Sequence, residues 1–599
     1  MKHLAVLNKY FLKYRWLLFW GIVFVTVSNL FRVLQPQMIR EALDLVVDNI
    51  QLYKLYGGFD NQAEVFAVLS KILMLFGGIV LALALLMGLF MYFMRQTIIV
   101  MSRLIEYDMR KEIFAHYEVL TQAFYKRNNT GDLMSRITED VNKVRMYLGP
   151  ALLYGINLVT LFVLVISSML RVNVELTLYC LIPMPVLAFS IYYVSQLISK
   201  KSEVIQAQLA RLNSTAQEVY SGIRVVKSYV RENAMADFFK DQSDEYKTKA
   251  MKLARVDALF HPTMLLLIGA STILTVYFGG LQVIKGTITP GNIAEFVIYV
   301  NMLTWPVTAL GWITSIIQQA AASQKRINQF LETRPDIVST VTENIPISGD
   351  IHFRDVHFVY PDSGISALNG ISFHLHPGQK MAIIGRTGSG KTTIADLIVR
   401  MYDVTRGEIL IDGKDIRQHD LYNLRRQIGY VPQDVFLFSD TIANNIAFGK
   451  PDATLEEIKT YAKHAAIHDE IESLPEGFQT RVGERGVTLS GGQKQRISIA
   501  RAFIRQPNVV LLDDCLSAVD TKTEKQILGY LEQDLADKTA IIITHRIYAL
   551  LRFDLIIVLD DGKIVEAGTH DELLEKQGYY FDMYEQQRLE EISDETQAG

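Results

Sequence analysis

Eight consecutive residues, Gly385, Arg386, Thr387, Gly388, Ser389, Gly390, Lys391 and Thr392, follow the spacing G-x-x-x-x-G-K-[ST]. That spacing suits phosphate. The glycines let backbone N–H groups turn inward, and the helix that follows presents its positive end. Lys391 supplies a point charge for the β- and γ-phosphates, and the Thr392 hydroxyl, followed by Thr393, is a ligand for Mg²⁺. The apolar run MAII precedes the loop and TTIADLIVRMY follows it, which is the strand–turn–helix context the spacing requires. Further on, VVLLDDC places Asp513 at the end of a buried strand, where a carboxylate holds Mg²⁺, usually through water. Asp514 follows, where a general base would face an attacking water. AIIITH ends another apolar strand in His545, which reads as a γ-phosphate contact beside such a loop and as an ordinary strand-end histidine without it.

These side chains need a scaffold. Residues 350–590 carry the strand runs IHFRDVHFVY, ISFHLH and KMAIIG and read as an α/β unit, with a polar tail at 591–599. Residues 336–349 read as a linker. Residues 1–335 differ in kind, with stretches nearly free of charge. Six spans are expected, at about Trp16–Leu34, Ile72–Met94, Ala151–Leu170, Leu176–Ile198, Met264–Ile284 and Ile293–Ile317. The first is the weakest, interrupted by Ser28, Asn29 and Arg32. The start of the chain, MKHLAVLNKYFLKYRW, reads as a basic amphipathic lead-in lying on the membrane surface.

Basic residues set the orientation. Twenty-four Lys/Arg lie in the lead-in and in the connections after the second and fourth spans, against five in the alternate connections. Both termini are therefore expected in the cytoplasm, with the two long connections extending the spans as helices beyond the bilayer. Within them, QAFYKRNNTGDLMSRITEDV (Gln122–Val141) and QEVYSGIRVVKSYVREN (Gln217–Asn233) read as docking helices or as solvated hairpin tips.

Composition agrees. The 599 residues are 50% hydrophobic and 21% charged, with 60 Lys+Arg against 64 Asp+Glu. This is too apolar for disorder and lacks the basic excess of a nucleic-acid binder. Cys180 and Cys515 fit neither a disulfide scaffold nor a metal site and are expected as unpaired thiols.

Leu489-Ser490-Gly491-Gly492-Gln493, taken with the phosphate loop, resembles the signature of ATP-binding-cassette (ABC) transporters. The resemblance covers essentially the whole chain. GFQTRVGERG (Gly477–Gly486) is similar to the exporter loop that senses the membrane domain, and TGDLMSR and GIRVVKSY are similar to exporter connections. The family implies an α-helical transmembrane bundle of six spans with long cytoplasmic extensions, followed by an α/β P-loop cassette with a helical signature subdomain. It implies a half-transporter of the multidrug-exporter type, with ATP and Mg²⁺ as cofactors. Tyr360 matches the aromatic that stacks on adenine, and Gln433 matches the loop glutamine that links Mg²⁺ to the membrane domain. Asp520 lies in the loop that crosses between cassettes, and His545 matches the switch histidine. In that family two halves dimerise. Each nucleotide lies between one P-loop and the other chain's signature, here Ser490, Gly491, Gly492 and Gln493.

One position departs from the pattern. The family's base is normally Glu, whereas this chain has Asp514, one methylene shorter and so set back by roughly 1.5 Å. The substitution resembles the slow half of heterodimeric exporters; a tolerated exchange in a homodimer is the alternative. The expected partners are a second half-transporter, membrane lipid and an amphipathic small molecule, without nucleic acid, in a bacterial cytoplasmic membrane. Homodimeric lipid flippase and ATP-gated regulator remain open. Trp305, Trp312, Met264 and Met302 read as cavity-lining or as lipid-facing, and Arg32 as snorkelling to headgroups or facing a cavity near anionic substrate.

Overall fold

The computed structural model describes residues 2–55, 57–58, 61–339, 341–483, 489–517, 519, 521–545 and 553–598. The chain divides into two compact units, Met1–Glu118 with Gly131–Thr333, and Val119–Thr130 with Arg334–Gly599.

Among the described residues, the first unit holds six helices long and apolar enough to cross a membrane: α1 (Arg15–Leu55), α2 (Ala63–Val119), α3 (Thr130–Val172), α4 (Val174–Ser221), α5 (Glu232–Ile284) and α6 (Pro290–Leu331). Each exceeds the roughly 20 residues that cross a bilayer, so each continues as helix beyond its apolar stretch. The polar interruptions in α1 are hydrogen-bonded between helices. Asn29 Nδ2 donates to Asn157 Oδ1 at 3.0 Å and Thr160 Oγ1 at 2.7 Å on α3, and Ser28 Oγ donates to the Met87 carbonyl on α2. Arg32 is half-buried in α1. Trp305 and Trp312 meet Tyr154 edge-on, at 5.4 and 5.6 Å between ring centres.

One face of the lead-in packs on protein. Leu4, Leu7 and Tyr10 are buried, Lys9 pairs with Glu112 at 2.7 Å and Lys13 with Asp108 at 2.6 Å, both on α2. Two acids one helical turn apart on α2 meet lysines spaced by four, which draws the segment onto protein. The short helix Ile223–Ser228, between α4 and α5, has no buried residue, and Val225, Tyr229 and Val230 are exposed.

Among its described residues the second unit contains two sheets. The first is antiparallel, in the order β2–β1–β4–β5, from β1 (Ile351–Val359), β2 (Ser366–Leu375), β4 (Arg406–Ile411) and β5 (Lys414–Asp415). The second runs β10–β9–β3–β8–β7–β6, from β3 (Lys380–Gly385), β6 (Ile428–Val431), β7 (Val509–Asp513), β8 (Thr539–Ile543), β9 (Leu555–Asp560) and β10 (Lys563–Gly568). All its neighbours are parallel except β9–β10. The near-continuous apolar runs of β3, β7 and β8 are those of strands covered on both faces. Helix α7 (Lys391–Ile398) and the inner face of the antiparallel sheet share one core. Helix α8 (Gly491–Phe503) packs into a second core with residues 442–482.

Val119–Thr130 groups with this unit rather than with the spans, because Ala123 of the short helix Gln122–Arg127 is buried in the core around β1 and β2. At the other end, a helix covers Tyr579–Ala598 and runs across the expected boundary at 590. Both cysteines are unpaired and buried.

Candidate nucleotide site

Parallel pairing brings the C-terminal ends of β3, β8, β7 and β6 to one edge, where ligands bind in open α/β sheets. The P-loop leaves β3, His545 follows β8, Asp513 ends β7 and Gln433 follows β6.

The loop is built tightly. A Cβ on Gly385 would lie 2.1 Å from the Leu559 carbonyl oxygen, and one on Gly390 would lie 2.4 Å from that of Ala367. Gly390 also has φ +101°, so a side chain there would be strained as well as crowded. Arg386, Thr387 and Gly388 are exposed, while Ser389 is buried with its hydroxyl unpartnered. Lys391 Nζ donates to the carbonyls of Gly385 and Arg386, both at 2.8 Å, and so closes the loop on itself. Burial lowers the Lys391 ammonium's pKa, opposed by the charges of Asp513 and Asp514.

Asp513 is buried and hydrogen-bonded to Thr392; burial raises its carboxyl pKa, and its Oδ2 has no partner. A hydroxyl and an under-satisfied carboxylate in contact are hard oxygen donors that fit Mg²⁺. Bound there, the ion would neutralise charge on the phosphate oxygens. The charge of Asp434 also pushes Asp513 up, so the segment after β6 lies near this carboxylate; Gln433 itself is exposed.

Asp514 is half-buried with φ +46°, and its N–H donates to the Ile543 carbonyl at 2.8 Å. Asp tolerates this left-handed backbone better than most residues do. Burial, and the nearby Lys391, hold His545 below the ordinary histidine value, against the pull of Asp514. The loop, the acid pair and the histidine thus share one electrostatic neighbourhood. Asp520 lies outside the described residues, as does part of Gly477–Gly486.

Tyr360 follows β1, and its hydroxyl lies 2.9 Å from Thr393 Oγ1, which ties the ring to the P-loop helix. Tyr402 packs edge-on against it at 5.5 Å. Two neighbours were not legible as site residues. Lys126 of the short helix Gln122–Arg127 places Nζ 4.9 Å from the Tyr360 ring centre, and Arg127 donates to the Pro361 carbonyl at 2.9 Å. The aromatic–basic pattern of QAFYKR marked this helix for docking without naming its target. Asp396 on α7 is the second: burial raises its carboxyl to about 6.

The signature begins α8. Ser490 Oγ accepts from the Gln493 N–H at 3.2 Å, and Gln493 Oε1 accepts from the Ser490 N–H at 2.9 Å, a reciprocal cap. Gln493 Nε2 donates to Glu470, which also receives two hydrogen bonds from Arg496. Gly492 is buried, whereas Ser490 and Gly491 are exposed, so the positive end of a 13-residue helix faces outward.

Residues 18–307 match the ABC transporter transmembrane region and residues 368–517 match the ABC transporter family. The "Probable multidrug resistance ABC transporter ATP-binding/permease protein YheI" of Bacillus subtilis is 36% identical over 590 residues, 98% of each chain. The chain belongs to the ABC transporters. Within this family, an "ATP-dependent lipid A-core flippase" of Pseudomonas fluorescens is 36% identical over 475 residues, 79% of each chain. A solved bacterial Atm1-family ABC exporter with ATP bound superposes with a TM-score of 0.75 at 27% identity, covering 97% of this chain and 99% of the other. The ABC transporter fold accounts for six spans and a cassette on one chain.

Proposed function

We propose that this chain is one half of a dimeric exporter that uses ATP hydrolysis to move amphipathic small molecules, drugs or lipids, across a bacterial inner membrane. The observation that carries the reading is the exposed cap at Ser490, together with Lys391, Thr392 and Asp513 at the sheet edge. The chain bears both halves of a nucleotide sandwich, and among the described residues the cap's hydrogen bonds run to Gln493 and Glu470. A second chain would bring its own cap to this P-loop. The exposed tip around Val225 and Tyr229 supports a second contact of the same kind. The basic excess on alternate connections supports both termini, and the cassette at 350–590, on the cytoplasmic side.

In this reading Tyr360 stacks on adenine, and residues 385–393 hold the phosphates. Thr392, Asp513 and Gln433 serve Mg²⁺, His545 contacts the γ-phosphate, Asp520 belongs to the crossing loop, and Asp514 orients water. Its shorter side chain makes this site slow, because misplacement by about 1 Å costs on the order of 100-fold in rate. The partner chain then carries Glu at the matching position and receives this chain's Ser490, Gly491, Gly492 and Gln493.

The relative named as a multidrug protein supports drug-like cargo, and the one named a lipid A-core flippase supports lipid cargo, with a homodimeric lipid flippase as the second reading. Proteoliposomes given external ATP, which drives the transporters whose cassettes face outward, and offered a panel of dyes and labelled lipids test both. Accumulation against a gradient is expected. Hydrolysis that moves no cargo would leave a gated regulator instead.

A further inference from the structure

Away from the nucleotide edge, the antiparallel sheet gathers three side chains with metal-ligating atoms. In β1 and β2, Ile351 is opposite Leu375 and His352 is opposite His374. Continuing that register by one residue sets Asp350 across from His376. Because side chains alternate across a strand, Asp350, His352, His374 and His376 all fall on one face. The pairing is borne out in contacts. His374 Nε2 lies 2.9 Å from Asp350 Oδ1, and His376 Nδ1 lies 3.5 Å from the same oxygen. His352 stacks on His374 at 4.5 Å between ring centres. One ligand atom each from Asp350, His374 and His376 lies within 4.8 Å of the others.

We propose that Asp350, His374 and His376 form a binding site for a divalent transition-metal ion, Zn²⁺ being the fit, separate from the Mg²⁺ of the nucleotide edge. Two imidazoles and one carboxylate are the donor set of a three-ligand zinc site completed by water, whereas Mg²⁺ prefers oxygen alone. Bond lengths of about 2.0–2.2 Å in a tetrahedron separate ligand atoms by roughly 3.3–3.5 Å. The His376–Asp350 distance already matches. The His374–Asp350 hydrogen bond opens by a few tenths of an ångström as the ion replaces its proton.

The backbone holding these groups is fixed. The Asp350 N–H donates to Asp412 Oδ1 at 3.0 Å and its carbonyl accepts from the Asp412 N–H at 2.8 Å. His376 and Gln379 close a turn through two hydrogen bonds. The imidazoles remain reachable from solvent, with His374 38% and His376 60% exposed. Asp350 is where the chain from residues 336–349 enters the sheet, and β2 is the sheet's outer strand. A bound ion would therefore staple the incoming chain to that strand.

The test uses the purified full chain in detergent, stripped with chelator and free of nucleotide, titrated with Co²⁺ and then Zn²⁺. One Co²⁺ per chain with the strong visible absorption of a four-coordinate ion is expected, displaced by Zn²⁺. Asp350→Asn and His376→Ala should each weaken binding by at least about tenfold, whereas His357→Ala, which alters a different Asp–His pair on β1, should not. Equal ATP hydrolysis by all three variants with Mg²⁺ establishes that they are folded. A wild type that binds no tighter than Asp350→Asn, or a Co²⁺ spectrum that His376→Ala leaves unchanged, overturns the site.

Discussion

The ammonium of Lys126 lies 4.9 Å from the ring centre of Tyr360 and 5.4 Å from that of Tyr402. A lysine from the connection between two spans thus occupies the surroundings of the ring assigned to adenine. A cation–π contact of this kind is worth about 0.5–1 kcal/mol where solvent reaches it. Lys126→Met keeps the stem and removes the charge. It should tighten ATP binding by about two- to fivefold, measured by nucleotide titration without hydrolysis. Weaker binding would show that the ammonium touches the nucleotide itself.

Tyr360→Ala removes the stacking surface. A base–aromatic stack is worth about 1–3 kcal/mol, so ATP affinity should fall between roughly fivefold and 150-fold. An unchanged affinity would remove Tyr360 from the adenine site.

The division of labour proposed for Asp514 predicts unequal effects of two substitutions. In the proposed heterodimer, Ser490→Ala should suppress steady-state hydrolysis far more than Asp514→Ala, because Ser490 would there complete the partner's faster site. In the chain purified alone, Asp514→Glu should raise hydrolysis, by up to about 100-fold, as the carboxylate regains its reach. If Asp514→Ala silences the pair as fully as Ser490→Ala, the two sites do not divide their labour.

The exposed tip between α4 and α5 should transmit closure. Charge reversal at Arg224 or Lys227 is expected to uncouple hydrolysis from transport while leaving nucleotide binding intact. Full-rate transport by such variants would make the tip a solvated hairpin.

Asp396 sets a pH dependence. Burial and the charge of Asp513 raise its carboxyl from 3.8 to about 6, against the pull of Lys126 and a hydrogen bond from Tyr430. Folding therefore favours the protonated form. Its contribution is complete below the unfolded value near 4 and is lost as pH rises through about 6, on the order of 3 kcal/mol in all. Asp396→Asn keeps the neutral form at every pH. Its unfolding temperature relative to wild type should climb between about pH 4 and 7 and stay level above that. A flat difference would mean that the carboxyl is ionised in the fold.

The P-loop was legible because its spacing is local: strand, turn and helix follow within one run, and only glycine fits Gly385 and Gly390. The six spans were legible from composition. What brings Asp513, His545 and the loop together is the order β3–β8–β7, which reverses chain order and has no local signal. Lys126 was beyond reach for the same reason, its neighbour Arg127 meeting Pro361 across 234 residues. Asn29, an interruption on hydropathy alone, is a hydrogen-bonded bridge between α1 and α3. The lead-in's contacts with α2 were not legible because Asp108 and Glu112 lie about a hundred residues away.

The two thiols have a practical consequence. Cys180 is fully enclosed between helices, and Cys515 is buried behind β7 with its thiol pushed up to about 12. Cys180 is out of reach of maleimides and methanethiosulfonates by burial, and Cys515 presents no thiolate, the form that reacts with them, at neutral pH. The native chain is therefore a blank background for site-specific labelling. A single cysteine introduced at exposed Tyr229, paired across two copies or across the natural pair, would let fluorescence transfer or spin–spin distances follow closure through the ATP cycle without first stripping the protein of its own cysteines.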